Sequence, residues 1–318
     1  MPGREPDENG RVTVLAPLPL VVLEEDDWRR RAEAHAARVD VWTAGRRDRM
    51  PRGQKHPVDD FLFEYYPTRP GQLRRWHPGL GLGLAGTTPF DADPAYRRVE
   101  ADGRSVVTAD PAAFERRRDG LAWVEGFVRR STQREPRYGC FGLHEWAMVH
   151  ALEQDEVRHR AWPLRVAPAD VEAVVDELGL RCTHYDAYRF FTPSAAPLNE
   201  LRPTRETQPD LDQPGCLHAT MDLYKWSSKY VVLVGSDLVA DCFGLAREAR
   251  RLDMEAAPYD LLALGYEPLR VEAAEGRAEY VRRQREIAAD GTALRARLAN
   301  VLANALRALD TATDPAQM

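Results

Sequence analysis

Apolar positions along the chain fall into short runs separated by charge and proline. Residues 12–16 and 20–23 have the look of short strands. Glu25 to Val39 carries its charges on one side, as a helix does. Met50 to His56 reads as a basic loop. Phe61, Leu62, Tyr65 and Tyr66 have helical spacing, which stops at Pro67. In GLGLGLAG, residues 79–86, Leu80, Leu82 and Leu84 alternate with glycine, giving a strand with one bare face. Arg104 to Thr108 reads as another strand. Asp110-Pro111 then supplies an N-cap and first turn for a helix to about Arg130. Further helices are expected from Gly142 to Leu152, from Pro168 to near Gly179, from His218 to Tyr230 and from Ser236 to about Met254. The segment RCTHYDAYRFF, 181–191, reads as a strand and is followed by a polar loop from Pro193 to Gly215. Residues 275–309 are helical with a break expected at Asp290-Gly291. There is no β-α-β rhythm. The fold class is therefore α+β: a helix-rich globular fold with several short strands, not doubly wound.

At 318 residues the chain suits one large domain, placed at 12–309, with disordered ends at 1–11 and 310–318. Hydrophobic content is 44% and charged content 30%, ordinary for a globular protein. The apolar run from Val12 to Leu23 is too short to span a bilayer, is broken by Pro17 and Pro19, and lacks a basic lead-in. No membrane partner is expected, and cytoplasm is the default location. The four cysteines, Cys140, Cys182, Cys216 and Cys242, should then be reduced.

A net charge of −6 argues against a protein that is basic throughout. Its distribution is uneven. Between Trp28 and His77 there are 12 Arg plus Lys against 6 Asp plus Glu, a local +6 that marks off a basic N-terminal lobe at 24–80. Arginines and aromatics interleave there, with Lys55 and Arg74 among them, and that pattern suits phosphate or DNA contact through residues 28–77. A solvated helix face is the plainer account. The G-x-G-x-x-G at Gly81, Gly83 and Gly86 lacks the helix that a dinucleotide fingerprint needs, because Thr87-Thr88-Pro89 follows it.

The chemistry-bearing residues concentrate further on. In GCFGLHEWAMVH, 139–150, His144 and His150 lie six apart, roughly 240° around a helix, so the H-E-x-x-H zinc arrangement is excluded. Three cysteines are each followed by a histidine: Cys140 by His144, Cys182 by His184, Cys216 by His218. On a strand, Cys182, His184, Asp186 and Tyr188 would share a face, a row costly to bury without partners. His218 and Asp222 are one helical turn apart, with Trp226 on the same stripe. His144, His184, His218 and Asp222 are the candidate metal ligands, with Glu145 and Asp186 as carboxylates beside them. Imidazole with carboxylate suits zinc or non-haem iron. Aromatics crowd the same segments: Trp146, Tyr185, Tyr188 and Trp226 are candidates to hold a flat ligand, and the loop after Pro197 adds Arg202 and Arg205.

The segments KHPVDDFLFEYY, RPGQLRRWHPG, GCFGLHEWAM, RHRAWPLRV, RCTHYDAYRFFTP, PLNELRPTRET, QPGCLHATMDLYKW and LVADCFGLAREARRLDMEAAPYDL resemble an actinobacterial family named for 3-methyladenine DNA glycosylase activity. The likeness covers about residues 24 to 290. It implies an N-glycosylase that removes an alkylated base from DNA. Such an enzyme draws the base from the stack between aromatic faces and sets a carboxylate beside the developing sugar cation. Glu145 and Asp186 are the carboxylates in position for that role. The alternative is a metal-dependent enzyme, zinc or non-haem iron, acting on a small molecule in a His/Asp/Cys-lined aromatic pocket. A protein that stores a ligand in the same pocket is the third class.

Overall fold

A computed structural model describes residues 19–157 and 161–312. The strand expected at 12–16 and the ends at 1–11 and 313–318 lie outside those residues. Short aliphatic stretches form one four-stranded sheet, in the order β1 (Val21–Leu23), β2 (Leu82–Ala85), β4 (Arg104–Ala109), β3 (Tyr96–Ala101). β1 pairs with β2 in parallel, and the other two pairings are antiparallel. β3 has no counterpart in the sequence reading, because Arg97, Arg98 and Glu100 hide its alternation. It joins β4 through Asp102-Gly103, both left-handed at φ 52° and 71°, as a two-residue hairpin turn of this handedness requires. The bare face of β2 is filled by its neighbours, since a Cβ on Gly83 would lie 2.8 Å from Val106; just past the strand, one on Gly86 would lie 2.2 Å from Glu25. Turns and no helix follow β2, so this glycine pattern cradles no dinucleotide.

The rest is helical. α1 (Glu25–Arg49) runs past its expected end at Val39, and α2 (Phe61–Tyr65) and α3 (Pro70–Arg74) follow. A 3-10 turn at Pro111–Arg117, its N-cap Asp110 accepting from Ala112 N at 3.1 Å, leads into α4 (Arg118–Thr132). Next come α5 (Leu143–Ala147), α6 (Pro168–Leu178), α7 (Tyr185–Tyr188) and α8 (Gln208–Leu211). The chain ends on α9 (Leu217–Lys229), α10 (Val231–Val234), α11 (Ser236–Glu255) and α12 (Ala274–Ala312). α9 packs against both α11 and α12, and α12 also packs against α4. α9 is thus enclosed, and ten of its thirteen residues are buried. Any polar side chain on it must find a partner inside the protein.

The sequence reading fails at several points. Residues 181–191 are not a strand. The Cys182 peptide is paired by the Asn199 side chain, which accepts from Cys182 N (2.8 Å) and donates to Cys182 O (3.0 Å), and Tyr185 then turns into α7. The expected row Cys182, His184, Asp186, Tyr188 on one face therefore does not exist. The helix at 142–152 is only the short α5. No break occurs at Asp290-Gly291; α12 continues to Ala312, three residues into the expected tail. Gly291 serves close approach instead, since a Cβ there would lie 3.1 Å from Thr220 Oγ1 on α9.

A small core of Leu23, Trp28, Trp76, Leu84, Phe90, Tyr96 and Val107 fastens the sheet to α1, with Trp28 Nε1 donating to Ala85 O at 3.1 Å. The larger core lies among α4, α5, α9, α11 and α12. Among the described residues no helix is long and apolar enough to cross a membrane.

Candidate metal centre and adjoining cavity

The enclosed helix α9 carries His218 in its first turn and Asp222 one turn later, both buried. α5 brings His144 to the same place. Its entry is strained: Phe141 (φ 50°) and Gly142 (φ 74°) are both left-handed just before the helix. From the last turn of α11 comes Asp253, fully buried at 0% exposure. One ligand atom from each of His144, His218 and Asp253 lies within 4.8 Å of the others. The rings of His144 and His218 meet edge to face at 4.5 Å.

The His144–Asp253 contact is unusual. Nε2 and Oδ1 are 2.7 Å apart, an ion-pair distance, although the ring N–H is poorly aimed at the carboxylate oxygen. Nδ1, on the other side of the ring, faces Cys140 Sγ at 3.7 Å. Asp253 is also held by Arg250, whose Nη1 donates to Asp253 Oδ2 (3.0 Å) and to Glu145 Oε1 (2.7 Å). Burial pushes the His144 imidazole toward the neutral form, but the Asp253 carboxylate overrides it and holds the pKa well above the ordinary value. Burial also lowers His218, and the charge on His144 lowers it further, so His218 is neutral with a free lone pair. Burial opposes the charge on Asp253, and His144 more than compensates, leaving that carboxylate ionised.

Beside this centre is a cavity of about 220 Å³, lined by His144, His218, Cys140, Cys182, Cys216 and Tyr280 on the inside and by Arg137, Arg181 and Glu200 toward solvent. No family model, curated protein or solved structure matches this chain. What the site does must be read from its own atoms.

Of the sequence candidates, only His144 and His218 meet at the cavity. His184 stacks near His218 at 5.3 Å, and its Nε2 lies 3.4 Å from Asp222 Oδ2. Asp222 accepts from the Tyr66 hydroxyl (2.8 Å) and from Lys225 Nζ (3.3 Å), which makes it part of a neighbouring ionic network. Asp186 belongs to the same network, accepting from Lys225 at 3.2 Å and facing Arg189. Glu145 is spent on Arg250. Trp146 is entirely buried, its indole donating to Ala256 O at 2.9 Å. Trp226 packs against Trp123 and Phe127. Tyr188 packs on Phe191, and the Arg205 guanidinium lies over Tyr185. Arg202 ties its own loop together through Pro197 O (2.8 Å) and Asn199 O. None of these lines the cavity.

In the basic lobe, charges are largely matched. Arg74 bonds Asp40 at 3.0 Å, Arg38 bonds Asp241 at 2.9 Å, Arg49 bonds Asp60 at 2.7 Å, and the exposed Lys55 faces Glu64. Paired guanidiniums have less to offer a phosphate backbone.

Asp253 and Arg250 escaped the sequence reading, although a signal was present. On α11 the positions of Ala246 and Ala249 define a buried stripe, and Arg250 and Asp253 continue it at helical spacing. Charges on a core-facing stripe are rare without a partner or a task.

Proposed function

We propose that the chain is a metal-dependent enzyme acting on a small molecule, with a divalent transition ion such as zinc or iron(II) held by His144, His218 and Asp253. The observation that carries this reading is the convergence of three buried donors: His144 Nε2 and Asp253 Oδ1 lie 2.7 Å apart, and a ligand atom of the neutral His218 lies within 4.8 Å of both. Ligands at about 2.0–2.2 Å from one ion sit roughly 3–3.5 Å from each other, so His144 and Asp253 at 2.7 Å would move apart slightly while any wider pair of the trio, none beyond 4.8 Å, would close. Two imidazoles and a carboxylate form a donor set used by both zinc and non-haem iron enzymes. Three protein ligands leave positions open on the ion, whereas structural zinc sites are closed by four. The adjoining cavity gives a substrate access to those positions. A bound ion would supply Lewis acidity and a water of lowered pKa. The chain supplies the rest: Cys140 faces the far nitrogen of His144, and Arg250 fixes the Asp253 carboxylate.

The glycosylase reading implied by the resemblance ranks second. Its two carboxylates, Glu145 and Asp186, are engaged by Arg250 and by Lys225, and neither faces the cavity. Elemental analysis of protein purified without chelator tests the first reading. About one equivalent of zinc or iron is expected, and it should be lost in His218→Ala. Less than about a tenth of an equivalent of every transition metal, before and after reloading, rejects it.

A further inference from the structure

The cavity has an outer half that the metal reading leaves without a task. Arg137 and Arg181 stand at its mouth. Arg137 is exposed, and no carboxylate lies within ion-pair distance of it among the described residues. Arg181 is matched only loosely, by Glu200 at 3.7 Å, with side chains 57% and 63% exposed. Guanidinium forks suit carboxylate and phosphate oxygens. Deeper in the same cavity is Gln284, which is 1% exposed. Its Nε2 donates to Gly215 O at 2.7 Å, which fixes the amide orientation and leaves Oε1 buried with no partner. A buried acceptor of this kind calls for a donor.

We propose that this cavity takes a small organic oxyanion that also carries a hydroxyl or amine, the oxyanion on Arg137 and Arg181 and the donor on Gln284. The assignment rests on the metal reading in one respect, that the reacting end of the molecule points to His144 and His218. At about 220 Å³ the space is smaller than the usual drug-sized pocket, so the molecule is a small metabolite.

Isothermal titration of the full chain, zinc-loaded and metal-free, tests this with lactate and glycerol 3-phosphate as probes. Propionate, which lacks the hydroxyl, and propane-1,2-diol, which lacks the charge, are controls. Binding of lactate or glycerol 3-phosphate at least about 10-fold tighter than propanediol is expected, reduced about 10-fold by each of Arg137→Gln and Arg181→Gln. Gln284→Met should abolish the preference for lactate over propionate while leaving propionate affinity in place. Equal affinity for lactate and propanediol overturns the proposal, as does indifference to both arginine substitutions. Anion binding that survives those substitutions but vanishes in His218→Ala also overturns it, and leaves the metal reading intact. Binding to the metal-free chain that is lost with the arginines supports it whatever the metal analysis returns.

Discussion

Replacing Asp253 by asparagine separates a metal ligand from a structural ion pair. The carboxylate is fully buried, 2.7 Å from His144 and 3.0 Å from Arg250. Removing one member of such a buried set costs about 3–5 kcal/mol. The low end applies, because Arg250 keeps Glu145 at 2.7 Å. With an unfolding entropy of about 2.1 cal/mol/K per residue over 318 residues, about 3 kcal/mol lowers the melting temperature by about 4–5 °C. Both readings share this loss. They part when zinc is added. A ligand at 100 times its Kd stabilises the folded state by about 2.7 kcal/mol, about 4 °C here. Wild type should show that rise, and Asp253→Asn should not. His218→Ala is the sharper control. His218 is neutral and its ring meets His144 and His184 by packing, so its loss should lower metal-free stability less than Asp253→Asn, yet abolish the zinc response. Differential scanning calorimetry with and without zinc reads all three proteins. A zinc response in either variant equal to that of wild type would refute the assignment of those ligands.

Three further outcomes follow from other parts of the fold. Burial, aided by the charge on Arg75, pushes His77 down to about 4, so below the ordinary 6.5 the unfolded chain takes up a proton that the folded one refuses. Stability attributable to this residue is intact above pH 6.5 and falls as pH drops to about 4, by up to about 3 kcal/mol; urea melts at pH 7 and 4.5 should show His77→Gln losing less across the interval, and parallel losses contradict this. Gly291→Val forces a side chain against Thr220 and should destabilise by about 1–3 kcal/mol, whereas a stabilised variant would mean that helix propensity outweighs the close approach. Glu145→Gln removes one of the two carboxylate charges that face Arg250 and should cost about 1–3 kcal/mol in chemical denaturation while metal content stays at the wild-type level; loss of the metal would make Glu145 a ligand.

The fold was legible where a single period governs the chain. The helical stripe of α9 places His218, Asp222 and Trp226 along one side, and the apolar runs of α11 and β4 fix those elements. Legibility ended where partners decide. RCTHYDAYRFF has the β-branch-poor but aromatic look of a strand, yet no neighbour offers a ladder, and the Asn199 amide takes up the Cys182 backbone groups. Asp290-Gly291 looks like punctuation until a second helix is known to press against the glycine. In the basic lobe, spacing alone could not show that Asp40, Asp60 and Asp241 would stand opposite its arginines. At the site, sequence spacing could put imidazoles on helices but could not say that Asp253, at the far end of α11, would meet them before Asp222 did. Asp222 is one turn from His218 on the same helix, but Tyr66 and Lys225 draw it to His184.

The energetics of the cluster bear on why it exists. Arg250 and protonated His144 set two positive charges against Glu145 and Asp253, all within the protein and each at most 4% exposed. Burying such a set is costly, and well-packed apolar residues of similar volume commonly give equal or greater stability. The neighbourhood also holds left-handed Phe141 and several buried polar atoms without partners, among them both ring nitrogens of His184 and Oε1 of Gln284. Strain and unmet polar groups of this kind gather where a protein binds or reacts. A role confined to stability accounts for Arg250 with Glu145, a direct ion pair with good geometry. It leaves without a task the third buried donor, His218, whose ring stands against His144 at 4.5 Å in the same cluster. An ion drawn to all three would displace the His144 proton, so its binding would weaken as pH falls, and would give His144, His218 and Asp253 one shared partner.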